Sequence, residues 1–77
     1  MTMLVLVVRA YTFPGVVDAD GTQYPTIEHR FYGRTQHEAD TTYRAHLQVD
    51  AALRGCVLQG ALPDGTLCTI TTSWERA

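Results

Sequence analysis

Lysine is missing from this 77-residue sequence, and all six basic residues are arginine. Eight acidic residues outnumber them, for a formal charge of −2. A chain with this balance has no broad electrostatic footprint for duplex nucleic acid or an anionic membrane. Long apolar runs are also missing. The opening MLVLVV is interrupted by Arg9, too short to span a bilayer and without the basic start and cleavage signature of a secretory signal. The expectation is a cytoplasmic protein whose mature chain is the whole chain. Cysteine is scarce: Cys56 and Cys68 form neither a C-x-x-C metal knuckle nor a disulfide scaffold, and both are read as reduced core residues.

Catalytic signatures are equally thin. No serine sits in a nucleophile elbow, and no glycine-rich phosphate loop follows a strand. Seven of the eight acidic residues, Asp18, Asp20, Glu38, Asp40, Asp50, Asp64 and Glu75, lie at a turn, helix surface or strand end and show no facing pair that would serve acid–base chemistry. His37-Glu38 opens like a metal-protease helix, but the zincin pattern needs a second histidine four residues on, where this chain has Thr41. His46 lies nine residues after His37, about 180° away around a helix. His29 and His46 both read as inward-facing and able to meet, with Cys56 or Cys68 as conceivable partners, though their spacing specifies no metal. Asp18-Ala-Asp-Gly resembles the start of a calcium loop until Thr22 and Gln23 break the pattern; an acidic hairpin tip is the plainer reading. No catalytic residue, metal or cofactor is expected.

What is present is ordinary globular material, 45% hydrophobic and 18% charged, enough for one domain over residues 1–77. MLVLVVRAYTF, residues 3–13, is β-branched and aromatic and reads as a long strand, apolar on both faces and so central in its sheet. Turn residues follow, then a second strand from about Thr26 to Arg34. Thr35-Gln-His-Glu38 is a capping box. It predicts a helix running to about Arg54 and ended by Gly55, with Ala39, Thr42, Tyr43, Ala45, His46, Val49 and Leu53 on its packed face. CVLQGAL and LCTITTSW then read as a hairpin around Pro63-Asp-Gly65, with Leu62 opposite Thr66. In that register Cys56 faces Thr72, too far from Cys68 for a disulfide.

The order β-β-α-β-β predicts an α+β two-layer sandwich: a four-stranded antiparallel sheet, order 2-1-3-4, with one helix on one face. The other face is left uncovered. Val5, Val7, Arg9 and Tyr11 from the first strand and Arg30, Tyr32 and Arg34 from the second are the candidate partner-binding residues. They fit a protein partner or a second copy of the chain, a homodimer, with the tyrosines as anchors. The alternative is a single-stranded nucleic-acid platform in which Tyr11 and Tyr32 stack bases while Arg9, Arg30 and Arg34 contact phosphates; net acidity and the missing lysines weigh against it.

FYGRT followed by Glu38-Ala39, then His46, Asp50, Leu53-Arg54 and Cys56, resembles a pattern in small proteins carried by bacteriophages and prophages. The resemblance covers about a third of the chain and implies a mobile-element accessory protein, a class that includes anti-CRISPR and other inhibitors that act by binding. The start of the helix also resembles small antitoxins of the HicB type, from which the order of elements departs.

Overall fold

The computed structural model describes residues 2–77. Its elements, in chain order, are β1 (Leu4–Phe13), β2 (Val16–Val17), β3 (Gln23–Tyr24), β4 (Ile27–Gly33), α1 (Gln36–Leu47), α2 (Ala51–Gln59) and β5 (Leu67–Arg76). β1, rich in valine and leucine, is central in a three-stranded antiparallel sheet of order β4-β1-β5. β2 and β3 form a separate two-stranded arm that carries the turn between β1 and β4.

The α+β class agrees with the sequence reading; the four-stranded sheet does not. Residues 56–59, expected as a strand, are the second half of α2, so the strand meant to lie beside β1 is missing and β5 pairs there directly. Asp50 is the reason. It adopts an extended backbone and accepts a hydrogen bond from the Leu53 N–H at 3.0 Å, capping a new helix. The single long helix is therefore two, joined by a short bend. Arg54 closes the joint from the far side, donating to the Leu47 and Gln48 carbonyls at the end of α1 at 3.2 and 3.0 Å.

The glycines divide the work differently from the sequence reading. Gly55 is interior to α2, where a Cβ would sit 2.5 Å from the Ala61 carbonyl oxygen; close packing requires it. Gly60, with φ +68°, is the left-handed residue that ends the helix. The turn that follows is as expected. Gly65 has φ +90°, and Leu62 N–H donates to Thr66 O at 2.8 Å. The hairpin stops at an isolated Ala61–Leu67 bridge, because the chain before it is helical.

Both helices lie on one side of the sheet. Leu6, Val8, Phe31, Ala39 and Leu53 form the main buried cluster, with Tyr43 and Leu47 packed against it. Ala10, Cys56 and Cys68 form the second. The packed face of α1 is thus Ala39, Tyr43, His46 and Leu47, whereas Thr42, Ala45 and Val49, expected there, are exposed. The bend at Asp50 takes Val49 off the helical wheel. Because α2 lies over β5, Cys56 comes to Cys68 with Cα atoms 5.6 Å apart, and the two form a disulfide. The reading of two free thiols is corrected by that change from strand to helix.

Candidate functional site

The sheet side without helices is the surface assigned to partner binding from sequence. Cross-strand register places Val5, Val7, Arg9, Tyr11 and Phe13 of β1 beside Glu28, Arg30 and Tyr32 of β4 and Leu67, Thr69, Thr71, Ser73 and Glu75 of β5. Arg34 lies beyond the end of β4, exposed at the turn into α1. The facing of all three strands agrees with the sequence pattern.

The exposure does not. Val5 and Val7 are only 2% and 0% exposed, although no secondary-structure layer covers them. Arg30 stands opposite Val7 on one flank of β1, and Glu75 stands opposite Val5 on the other. Their side chains meet at 3.0 Å, and a contact between those positions must cross over β1. Arg30 also approaches Glu28 at 3.7 Å, and Arg9 approaches Glu28 at 3.5 Å and Glu75 at 3.9 Å. Two arginines and two glutamates thus form a ring of alternating charge above the valines, their aliphatic stems covering apolar surface while the heads stay in water. Glu75 raises the pKa of Arg30 above the usual arginine value by hydrogen bonding to it and by its charge. The apolar groups exposed on this side lie outside the ring: Tyr32 at one end, and the directly paired Phe13 and Leu67 at the other, 50%, 53% and 61% exposed. Val5 and Val7 are therefore support for the surface and are out of a partner's reach.

The same register separates the two tyrosines. Tyr32 is opposite Val5, and Tyr11 is six positions farther along β1, about 20 Å away at the usual strand rise.

On the helix side a different group converges. His29 leaves β4 inward, His46 leaves the last turn of α1, and Asp50 stands at the joint between the helices. His46 Nε2 lies 2.8 Å and His29 Nε2 3.4 Å from the same Asp50 oxygen, Oδ2. The ring centroids of the histidines are 4.6 Å apart, and Phe31 lies beside both, at 5.3 Å from His46 and 6.0 Å from His29. The second Asp50 oxygen, Oδ1, is held by the Leu53 N–H. That bond first, and the one with His46 after it, keep the Asp50 carboxyl below its ordinary value, against the opposing effect of burial. The side chains are 36%, 30% and 21% exposed for His29, His46 and Asp50.

The histidines thus meet as their facing suggested, but the third member is Asp50 and neither cysteine. The His46–Asp50 spacing of four, which puts two residues on one face of a continuous helix, is the signal that the sequence reading passed over. His37 stays on the exposed side of α1. In the β2–β3 arm, Asp18 Oδ1 accepts from the backbone N–H groups of Asp20 and Thr22, and Tyr24 donates to its Oδ2. Asp18 and Thr22, by hydrogen bonding, hold the Asp20 carboxyl down at about 2. These carboxylates close their own turn, as an acidic hairpin tip does.

No known protein family matches the chain, and neither a curated protein nor a solved structure matches it. Among the described residues no helix is long and apolar enough to cross a membrane.

Proposed function

We propose that this protein is a small non-enzymatic binding module whose open sheet face engages a protein surface, and that the surface it fits most simply is a second copy of itself. The observation that carries this reading is the charge ring of Arg9, Glu28, Arg30 and Glu75, with exposed Tyr32, Phe13 and Leu67 outside it. Equal numbers of both signs in alternation make a self-complementary pattern: a two-fold axis through the ring lets each arginine meet a glutamate of the other copy. The aromatic and aliphatic groups at the ends then supply the apolar anchors. Both ring arginines already have carboxylate partners, and the two tyrosines are far apart, so a single nucleic-acid strand gains neither free cations nor adjacent stacking platforms here.

The resemblance to phage and prophage proteins makes a host protein the natural other occupant of this face. The cytoplasmic setting expected from the sequence stands against the Cys56–Cys68 disulfide, a bridge that persists in oxidising compartments and is rare in a reducing one.

Sedimentation velocity over a concentration series tests the reading. A reversible dimer is expected, with its dissociation constant raised about tenfold or more by Phe13→Glu or Tyr32→Glu while circular dichroism is unchanged, as befits interface anchors. A chain that stays monomeric at every concentration rejects self-association, and dimerisation indifferent to both substitutions rejects this face. Retention of a purified host protein by the monomer, lost in Tyr32→Glu, would assign the face to that partner instead.

A further inference from the structure

We propose that His29, His46 and Asp50 form a binding site for a divalent transition ion of the zinc class. The proposal is independent of the binding face, because the cluster lies on the helix side of the sheet and shares no residue with the charge ring. It also replaces the expectation of a metal-free protein.

The donor chemistry comes first. Two imidazole nitrogens and one carboxylate oxygen make a set that suits zinc and its first-row neighbours. All three donor atoms lie within 4.8 Å of one another. Metal bonds of about 2.0–2.1 Å at tetrahedral angles put neighbouring donors about 3.3 Å apart. The separations of 2.8 and 3.4 Å from Asp50 Oδ2 bracket that edge. Both histidines bring the same nitrogen, Nε2, close to one oxygen, His46 in a hydrogen bond at 2.8 Å and His29 in a looser contact at 3.4 Å.

The supports come second. The donors arrive from β4, from the last turn of α1 and from the cap of α2, three elements whose relative positions are set by the buried cluster of Leu6, Val8, Phe31, Ala39 and Leu53. Asp50 Oδ1 is fixed by the Leu53 N–H, which leaves Oδ2 to face the histidines. An outer contact of this kind orients a ligating carboxylate. Phe31 limits the swing of both rings. Partial exposure of all three side chains gives an entry path and leaves room for water to complete the coordination shell, as in sites with three protein ligands. The ion would tie β4 to the joint between the helices, and no reaction is assigned to it.

The rival arrangement has no ion: His46 Nε2–H donates to Asp50 Oδ2, and His29 only lies near the same carboxylate. The two separate cleanly. The chelator-treated full chain, free of any histidine tag, is titrated with zinc by calorimetry and with cobalt by visible absorption. One zinc ion per chain is expected, with a higher melting temperature and cobalt d–d bands of a low-coordinate site. His29→Gln and His46→Gln should each weaken zinc binding at least about tenfold, the lower end of what even the loss of outer-shell partners costs a metal site. Asp50→Asn is the sharper variant: asparagine caps a helix as well as aspartate, so the Leu53 N–H keeps its acceptor while the anionic donor is lost. It should retain the fold by circular dichroism and lose zinc affinity. His37→Gln, outside the cluster, should change nothing. Histidine ring signals in NMR supply a second readout: zinc should shift His29 and His46 together and leave His37 alone. The proposal is overturned by the absence of saturable zinc binding, or by binding that survives in both His29→Gln and His46→Gln.

Discussion

Around Val5 to Val8, β1 is buried equally well on both faces by unlike means. Leu6, Val8 and Ala10 lie beneath two helices, whereas Val5 and Val7, one residue out of phase, lie beneath four charged side chains. A central strand with two apolar faces need not sit between two layers. Long residues on both neighbouring strands can reach across it and exclude water without a second core. The distinction lies in what each cover tolerates: a helix layer is closed, and a ring of side chains can part.

Paired substitutions probe that distinction. Leu6→Lys pushes an ammonium group under the helices, into the apolar cluster of Val8, Phe31, Ala39 and Leu53, and should leave the chain unfolded by circular dichroism; a buried charge without a partner commonly costs several kcal/mol. Leu53→Ala, on the same side, should cost about 2–5 kcal/mol, read by urea denaturation.

Removing the disulfide comes next. Its closed loop is short, with a sequence separation of 12, and loop-entropy arithmetic gives about 3 kcal/mol. A reductant, or the Cys56→Ser/Cys68→Ser pair, should lower the melting temperature accordingly, and intact mass should fall by two hydrogens on oxidation. Equal stability with and without reductant would mean that the helix layer holds α2 in place without the bridge.

Val7→Lys should then cost about 1–3 kcal/mol, the usual range for overpacking. The lysine can extend through the ring into water, so the fold should survive. If Val7→Lys proves as damaging as Leu6→Lys, the ring is as closed as a layer. The ion pairs of the ring should matter less: Arg30→Ala should lower the melting temperature less than Val7→Lys does, and the part of the loss that is due to charge should shrink in salt, because exposed ion pairs contribute little.

Acid provides the smallest effect. Asp50 and Asp64 have folded pKa values below the ordinary 3.8, chiefly because a backbone N–H donates to each carboxylate, Leu53 to Asp50 and Thr66 to Asp64. The unfolded chain therefore takes up protons first as the pH falls. Their stabilisation is present above 3.8 and is lost as the pH drops through the folded values. The melting temperature should decline over that window, and less so in Asp64→Asn.

These residues also mark how far the sequence could be read. The strands β1, β4 and β5 with their facings, the Thr35 cap and the Gly65 turn are local matters, and period-two alternation or capping chemistry declares them. Residues 56–62 are not local. A short apolar run fits a buried strand or a helix equally well, and what decides between them is Asp50, six residues earlier, which reads as one more polar position in a continuing helix. Misplacing that cap misplaced α2, hence the neighbour of β1 and the link between the cysteines. Burial of Val5 and Val7 was hidden for another reason: it depends on Arg30 and Glu75 reaching across a strand, and only register reveals which long side chains face each other.

At Gly33 the backbone of α1 comes so close that a Cβ would collide with the Ala39 main chain. A missing methyl group therefore sets the height at which the first turn of α1 rests on the sheet. The helix behaves as a beam with its support near one end, and His46 rides toward the other. Any spacer placed under that support tilts the beam, so the gap between an imidazole on the helix and one on the strand is governed by a position that touches neither.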